Sequence, residues 1–156
     1  MKPRLATAAD VAAIVRIVNA AFVVESFFKT GERTDDGEIA AMMQAGAFLL
    51  VEDEAGVPVA SVYVGGEGPV GYIGMLAVEP REQGGGLGRI LTEAAESRCR
   101  EAGCRAVEIH VVNLREELPE FYRRLGYAET GATVPFPPGE QTNRPCHFIV
   151  MRKPLA

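Results

Sequence analysis

Four glycines stand within five positions of one short segment, residues 84–88, just before a long stretch of helical periodicity. Glycine beside regular structure costs roughly 0.5–1 kcal/mol relative to alanine, because it loses the most backbone freedom on folding. The stretch that follows has an apolar stripe at helical spacing, and Gly103 stands beyond its end. The stripe consists of Leu87, Ile90, Leu91, Ala94, Ala95 and Cys99. We therefore expect a helix to begin at this turn, and the turn to require bare backbone.

The glycine pattern differs from two nucleotide-binding fingerprints. Counted from Gly84 and Gly86, G-x-G-x-x-G fails because Arg89 takes the place of the third glycine, and no Lys-Ser/Thr pair follows as a P-loop requires. Free backbone N–H groups at a helix N-terminus, with the positive end of the helix dipole, still suit a pyrophosphate, and Arg81 adds nearby charge. The alternative is a turn that only lets the helix pack closely on a sheet.

Apolar periodicity along the chain predicts strands and helices in a mixed order. That order is a short strand, two helices, three strands, a long helix, a strand, a short helix and two strands. The first helix is predicted to be capped by Asp10 and the second to cover residues 38–46, with a polar connection over residues 25–37 between them. This pattern indicates an α/β fold, a mixed sheet with helices on both faces.

Composition and charge narrow the classes of function. The chain has 156 residues, of which 47% are apolar and 24% charged, so we expect a single domain over residues 1–156. A net charge of −5 argues against a broad nucleic-acid-binding surface. Cys99, Cys104 and Cys146 form no C-x-x-C pair, and neither histidine is spaced to complete a metal site with them. We predict a cytoplasmic protein with no metal, membrane or nucleic-acid partner.

Two blocks of the sequence resemble the GNAT N-acetyltransferase superfamily. "LAVEPREQGGGLGRILTEAA" is similar to its acetyl-CoA loop, and residues 83–88 match the signature Gln/Arg-x-x-Gly-x-Gly/Ala. "VEIHVVN" followed by "FYRRLGY" matches a second block, a strand ending in asparagine and then a helix with Phe-Tyr-x-x-Leu-Gly-Tyr/Phe. The resemblance covers the chain end to end. It implies a GNAT-like fold with about seven strands in a mostly antiparallel mixed sheet flanked by four helices, and it implies the activity of a transferase, specifically an acyltransferase.

The resemblance implies a site for acetyl-CoA at the end of the fourth strand and the start of the third helix. The strand backbone would pair with the pantetheine arm as a further strand would, the glycine turn would hold the pyrophosphate, and the asparagine after the fifth strand would contact the coenzyme arm. The predicted cofactor-binding residues are Leu76, Ala77, Val78, Gln83, Gly84, Gly85, Gly86, Leu87, Gly88, Arg89 and Asn113.

The resemblance also gives Tyr122 the place of the family's general acid, which reprotonates the departing coenzyme thiolate. The mechanism it implies is direct attack of an amine on the thioester, without a covalent acyl-enzyme. The attacking amine must be neutral, so we expect a base across the acetyl group from Tyr122. From the residues alone, Tyr122 lies beside the apolar stripe of Leu118, Phe121 and Leu125, and packing is the alternative role.

Three residues are candidates for the base. Glu108 is the first, because it matches the position of the base in ribosomal-protein N-terminal acetyltransferases of the superfamily. Histone-type members carry a glutamate on the fourth strand where this chain has Tyr72. The alternatives are Glu25, between the first two helices, and His110, on the same strand face as Glu108. Histidine has an unperturbed pKa of about 6.5, whereas a glutamate must be raised by burial. Glu108 and His110 also fit the solvent face of an alternating strand.

Two loops are predicted to form the acceptor pocket, "VVESFFKTGERTDD" and "TVPFPPGEQTNRPCHF". The predicted substrate-binding residues are Glu25, Phe27 and Phe28, although the aromatic pair also fits ordinary core beneath a loop. The loop charges include Glu25, Glu32, Arg33, Asp35 and Asp36. They suit a primary amine of a small molecule or of a peptide; the acceptor, the acyl chain and a homodimeric assembly stay open. The alternative functions are an inactive acyl-CoA-binding regulatory module and a structural domain that keeps only the fold.

Overall fold

The computed structural model describes residues 2–137 and 142–155. Within these ranges, seven strands form one sheet and four α-helices pack against it. The strands are β1 (Arg4–Leu5), β2 (Ala47–Glu52), β3 (Pro58–Glu67), β4 (Val70–Val78), β5 (Ala106–Val112), β6 (Ala128–Pro135) and β7 (His147–Pro154). The helices are α1 (Val11–Ala21), α2 (Asp36–Ala45), α3 (Leu87–Glu101) and α4 (Glu117–Arg124). The predicted order of elements is confirmed.

The sheet has the spatial order β1-β2-β3-β4-β5-β7-β6, and its neighbouring strands are antiparallel except for β4 and β5. These two parallel strands pair over only three positions, 70–72 of β4 against 106–108 of β5. Beyond Tyr72 and Glu108 the strand pairing stops. The mostly antiparallel mixed sheet is therefore confirmed, and it contains a cleft between the carboxyl halves of its two central strands.

A β-bulge lies in β4 just beyond the point where pairing with β5 stops. Ser61 of β3 pairs with Ala77 and Tyr63 pairs with Gly74, so two steps along β3 oppose three along β4. The extra residue is Met75, whose φ of 49° is the one positive value of a non-glycine in the described part of the chain. Because a bulge bends and twists its strand, it accompanies the separation of β4 from β5.

The helices cover the two faces of the sheet in different ways. On one face, Leu91 and Ala95 of α3 are fully buried in a cluster that includes Val62 and Ile109 of the sheet. α4 adds its apolar side to this cluster. On the other face, Ile14 of α1 belongs to a second cluster with α2 and with the opposite side of β2 and β3. No helix in the described ranges combines the length and the apolarity needed to cross a membrane.

α1 begins at Val11, directly after Asp10, as predicted, but a further turn precedes it. A short 3-10 turn precedes α1, and Thr7 caps it in a reciprocal box in which the Thr7 N–H donates to the Asp10 carboxylate at 2.8 Å. Arg4 of β1 donates to the same carboxylate at 2.9 Å, and this bond lowers the pKa of Asp10 to about 2. Asp10 therefore stands at the N-cap position of α1 and also links the helix to β1 through Arg4.

The connection between the first two helices is more regular than predicted. A 3-10 segment, Phe22–Phe27, continues directly from α1. α2 begins at Asp36, two residues earlier than predicted, because the Asp35 side chain caps it by accepting from the Glu38 N–H at 2.8 Å. The helix ends before Gly46, as its sequence indicated. The 3-10 segment matters for the site, because it brings part of the predicted acceptor loop against the cleft.

Candidate active site

A cavity of about 730 Å³ occupies the cleft between β4 and β5. Its walls come from both strands, from the glycine turn, from α4 and from the segments that follow α1 and β6. Small-molecule and cofactor sites typically have volumes of about 300–1,000 Å³. The cavity joins the predicted coenzyme loop to the predicted acceptor loop, so it is the candidate active site.

The glycine turn forms one end of the cavity through conformations that only glycine adopts readily. Gly84 has a φ of 88° and Gly86 a φ of 83°, and Gly86 immediately precedes α3. A Cβ atom at Gly88 would lie 3.3 Å from Cζ of Phe121, so this glycine lets α4 approach the start of α3. The Gln83 side chain donates to the Val78 carbonyl at 3.1 Å and ties the turn to the end of β4. The turn thus offers backbone to the cavity.

Most of the predicted cofactor residues line this cavity. They are Leu76, Val78, Gln83, Gly84, Gly86, Leu87, Gly88 and Arg89. Ala77 and Gly85 are not among the lining residues, and the buried Ala77 belongs to the cluster under α1. The guanidinium of Arg89 is bonded to Glu93 one helical turn along α3, at 2.9 Å.

Asn113 lies outside the cavity lining. Its backbone N–H donates to the His147 carbonyl at 2.9 Å, and its side-chain Oδ1 accepts from the His147 N–H at 2.9 Å. These two hydrogen bonds to β7 fix the end of β5. Contact between Asn113 and the coenzyme arm stays a prediction.

Tyr122 of α4 is buried and lines the cavity on the α3 side of the sheet. Its ring makes edge contacts with Phe121 at 5.0 Å and Tyr127 at 5.7 Å between ring centroids. Within residues 2–137 and 142–155, no group forms a hydrogen bond with its hydroxyl. Burial raises the pKa of Tyr122, so the hydroxyl is protonated at neutral pH and able to donate. The residue therefore combines the packing role with a proton at the cavity wall.

A buried hydrogen-bond network holds the residue that packs against the Tyr122 ring. The Tyr127 hydroxyl donates to the Glu96 carboxylate at 2.8 Å, and the Lys153 ammonium lies 3.0 Å from the other carboxylate oxygen. Glu96 is 2% exposed, so its charge is compensated by these two partners rather than by water. The network holds the Tyr127 ring against Tyr122. Sequence reasoning missed it, because α3 and β7 meet only in the folded chain.

The structure separates the two base candidates on β5. Glu108 forms an ion pair with Arg152, whose Nε lies 2.9 Å from the carboxylate, and Glu108 is not among the cavity-lining residues. His110, two residues further along, lines the cavity and contacts the Tyr72 ring at 5.1 Å between centroids. Burial lowers the pKa of His110 from its usual 6.5, although the charge of Glu108 opposes this effect. At neutral pH the imidazole is therefore largely uncharged.

Glu25 also lines the cavity, from the 3-10 segment after α1. Its buried carboxylate lies 3.1 Å from a guanidinium nitrogen of Arg115, which also bonds Glu117 at 2.9 Å. Burial raises the pKa of Glu25 from its usual 4.5, and the charge and hydrogen bond of Arg115 oppose that rise. Arg115 itself lines the cavity and was missed by sequence reasoning, although it closely follows the strand-ending asparagine of the second block.

The two predicted acceptor loops meet at the far end of the cavity. Lys29 and Thr142 form an isolated antiparallel bridge, and the Asn143 N–H donates to the Phe28 carbonyl at 2.9 Å. Phe28 is fully buried beneath the loop, whereas Phe27 is 44% exposed, and neither lines the cavity. Their assignment to substrate contacts therefore gains no support. The phenylalanines that do line this end include Phe22, Phe136 and Phe148.

Residues 12–127 match the model of the acetyltransferase (GNAT) family. The chain belongs to this family. A mycothiol acetyltransferase from Propionibacterium freudenreichii subsp. shermanii is 28% identical over 144 residues, which cover 88% of this chain and 46% of the relative. The GNAT chain described here thus spans less than half the length of that relative.

Two solved structures have the same fold. The ribosomal-protein-S18-alanine N-acetyltransferase from Escherichia coli superposes with a TM-score of 0.81 at 17% identity, covering 99% of this chain and 94% of that one. A GNAT superfamily phosphinothricin acetyltransferase from Sinorhizobium meliloti, solved in complex with acetyl-CoA, gives a TM-score of 0.78 at 19% identity, covering 99% and 88%. These likenesses confirm the predicted GNAT architecture.

The residues at the glycine end of the cavity fit acetyl-CoA, the coenzyme of the GNAT family. Side chains are absent at Gly84, Gly86 and Gly88, where a phosphate arm would approach, and the first turn of α3 supplies unpaired N–H groups. Among the residues that the structure describes, none pairs as a strand with the cleft-facing edge of β4 beyond Tyr72. The turn would hold the pyrophosphate, and the end of β4 would hold the pantetheine arm.

Proposed function

We propose that this GNAT chain transfers the acetyl group of acetyl-CoA to the amine of an acceptor that lies between β5 and the segment after α1. One observation carries the proposal: a single cavity extends from the glycine turn, past Tyr122, to His110 and Glu25. When bound, acetyl-CoA supplies the acetyl group as a thioester. The cavity holds a proton donor on the α3 side of the sheet and proton acceptors on the α1 side.

Tyr122 is proposed as the general acid. Its buried hydroxyl has a raised pKa and would give its proton to the coenzyme sulfur as the thiolate departs. Tyr127 and the Glu96 carboxylate behind it hold the ring in place.

His110 is proposed as the base that accepts the proton of the amine. It lines the cavity, whereas Glu108 is paired with Arg152 outside the lining. In this proposal Glu108 is a positioning residue, because its charge raises the pKa of His110 against the effect of burial. Glu25 is the alternative base; its bond to Arg115 makes it the less available acceptor.

Two measurements test the proposed function. A thermal shift with acetyl-CoA and with desulfo-CoA reports coenzyme binding, and release of free thiol with a panel of amines reports transfer. We expect both coenzymes to raise the melting temperature, and thiol release to depend on an amine. Binding without amine-dependent release would identify an acyl-CoA-binding module instead. If neither coenzyme binds, the proposed function is rejected and only the GNAT fold remains.

A further inference from the structure

Arg33, in the connection between α1 and α2, lines the cavity at its acceptor end. A guanidinium has five N–H donors. Within the described ranges none of them makes a hydrogen bond, and the ion-pair partner, Glu38, lies 3.7 Å away, beyond hydrogen-bond distance. A carboxylate oxygen of Glu38 accepts instead from the Thr34 hydroxyl. The guanidinium lies over the Phe22 ring at 5.3 Å from its centroid, which holds it without using its donors.

The other two arginines that line the cavity are engaged. Arg115 bonds Glu25 and Glu117, and Arg89 bonds Glu93. Arg33 therefore has a full set of donors to offer to a ligand.

The surroundings of Arg33 place it in the acceptor compartment rather than at the coenzyme turn. It lines the same cavity as Glu25 and Tyr72, and its charge opposes the burial-driven rise in the pKa of both side chains. The apolar surfaces around this compartment come from Phe22, Met42, Phe136 and Phe148. The Phe136 and Phe148 rings stack at 4.6 Å between centroids, which makes a flat aromatic wall.

We propose that the acceptor is a small amine that also carries a carboxylate, and that Arg33 binds this carboxylate while the aromatic wall contacts an apolar body. The inference rests on the proposed acetyl transfer to an amine. A guanidinium fork matches a carboxylate in two parallel hydrogen bonds. A monoanion is enough to match Arg33, because the carboxylates of Glu25 and Glu38 offset the charges of Lys29 and Arg115 in the same lining.

Contacts between the described parts of the two acceptor loops favour a small acceptor over a long peptide. The bridge between Lys29 and Thr142 and the bond from Asn143 to Phe28 join the two acceptor loops. A chain passing out between the loops would have to break these backbone contacts.

The test compares acids with their amides. The acceptors are L-phenylalanine, L-leucine and L-methionine, each beside its carboxamide, with phenethylamine as the decarboxylated amine. Each is measured by thiol release and by calorimetric binding in the presence of desulfo-CoA. The proteins are the wild type, Arg33→Gln and Arg144→Gln. Arg144 is the matched control, because its guanidinium lies over Phe27 at 5.5 Å but does not line the cavity.

For each pair, the kcat/KM and the affinity measured with the acid are divided by those measured with its carboxamide. We expect this ratio to fall roughly 10- to 100-fold in Arg33→Gln, which corresponds to the loss of hydrogen bonds to a charged group. Comparing ratios between proteins cancels the different amine reactivities of acids and amides. Desulfo-CoA affinity and melting temperature should change little. Arg144→Gln should keep the wild-type ratio.

Equal losses for acids and amides in Arg33→Gln, or acids that neither bind nor react in the wild type, would overturn the carboxylate site. Arg33-dependent binding of the acids without any thiol release would keep that site and reject the transferase proposal. The two proposals therefore fail through different measurements.

Discussion

Burial shifts the pKa values of Tyr122 and His110 in opposite directions. Burial disfavours the charged form of any group, so it raises the pKa of Tyr122 and lowers that of His110. Both residues are therefore neutral at neutral pH, the phenol with a proton to give and the imidazole with a lone pair to receive one. The cleft favours the neutral form of both groups, because Tyr122 is buried and His110 is partly buried at its wall.

The acid is tested by removing one hydroxyl. We expect Tyr122→Phe to lower kcat by about 10²- to 10⁴-fold, the contribution typical of a positioned acid, while acetyl-CoA affinity changes little. Tyr127→Phe is the matched control, because the two rings touch but the Tyr127 hydroxyl serves Glu96. That control should lose stability, because Glu96 loses a donor, and should lose much less kcat than Tyr122→Phe. Similar effects on kcat in both variants would support packing as the role of Tyr122.

The base is tested by the pH dependence of kcat/KM. If His110 is the base, activity is full above its pKa and falls as the pH drops through that value, which lies below 6.5. We expect His110→Ala to abolish this acidic limb. Glu108→Gln removes a charge that raises the pKa of His110, so the limb should move to lower pH and persist.

Two outcomes would reassign the base. Loss of the limb in Glu108→Gln would assign the role to Glu108, and its loss only in Glu25→Gln would assign it to Glu25. A limb that persists unchanged in all three variants would report deprotonation of the amine substrate, and catalysis would then depend mainly on holding amine and thioester together.

At the level of elements, α3 has a glycine of positive φ at each end, but only one of them faces the cavity. Gly86 precedes the helix with a φ of 83° and Gly103 follows it with a φ of 90°. A Cβ atom at either position would meet nothing within 4 Å. The two positions therefore carry the same backbone strain when substituted, and they differ in their place relative to the coenzyme site.

This symmetry gives a controlled test of the coenzyme turn. Gly86→Asp and Gly103→Asp should each lower the free energy of unfolding by roughly 1–2 kcal/mol, because aspartate is strained in the left-handed region. Only Gly86→Asp should abolish acetyl-CoA binding in calorimetry, since its carboxylate would stand where the pyrophosphate binds. Equal affinities in the two variants would contradict the assignment of the turn.

Two of the glutamates on the same helix are expected to contribute very differently to stability. Glu96 is buried with Tyr127 and Lys153, whereas Glu93 pairs with Arg89 in an exposed i,i+4 bridge. Glu96→Ala should lower the free energy of unfolding by about 2–3 kcal/mol, because it leaves a buried hydroxyl and a mostly buried ammonium without their partner. Glu93→Ala should cost at most about 0.5 kcal/mol. Denaturant unfolding of both variants measures the difference, and similar losses would contradict it.

At the level of the whole molecule, the features that the sequence predicted are those encoded by local patterns of residues. Helix periodicity and glycines predicted α3 and its turn, and the second family block pointed to Tyr122 and the end of β5. The composition of the cavity wall depends on which loops meet across the sheet, and no local pattern encodes that. Arg115 and the pairing of Glu108 with Arg152 come from such contacts, as does the burial of Phe28.

The short pairing of β4 with β5 has a consequence for amide hydrogen exchange. Three positions join the two halves of the sheet, and the edges beyond them have no strand partner in the described chain. Amides on these edges, within 73–78 and 109–112, should exchange with solvent deuterium through small local openings, well before β2 and β3 unfold. Acetyl-CoA lying along β4 should slow exchange in 73–78 and leave the interior of β2 unchanged. Mass spectrometry of deuterium uptake measures this directly, and equal uptake in 73–78 with and without coenzyme would contradict it. If exchange in 73–78 does slow on binding, the coenzyme connects two halves of the sheet that are only weakly joined in the free protein.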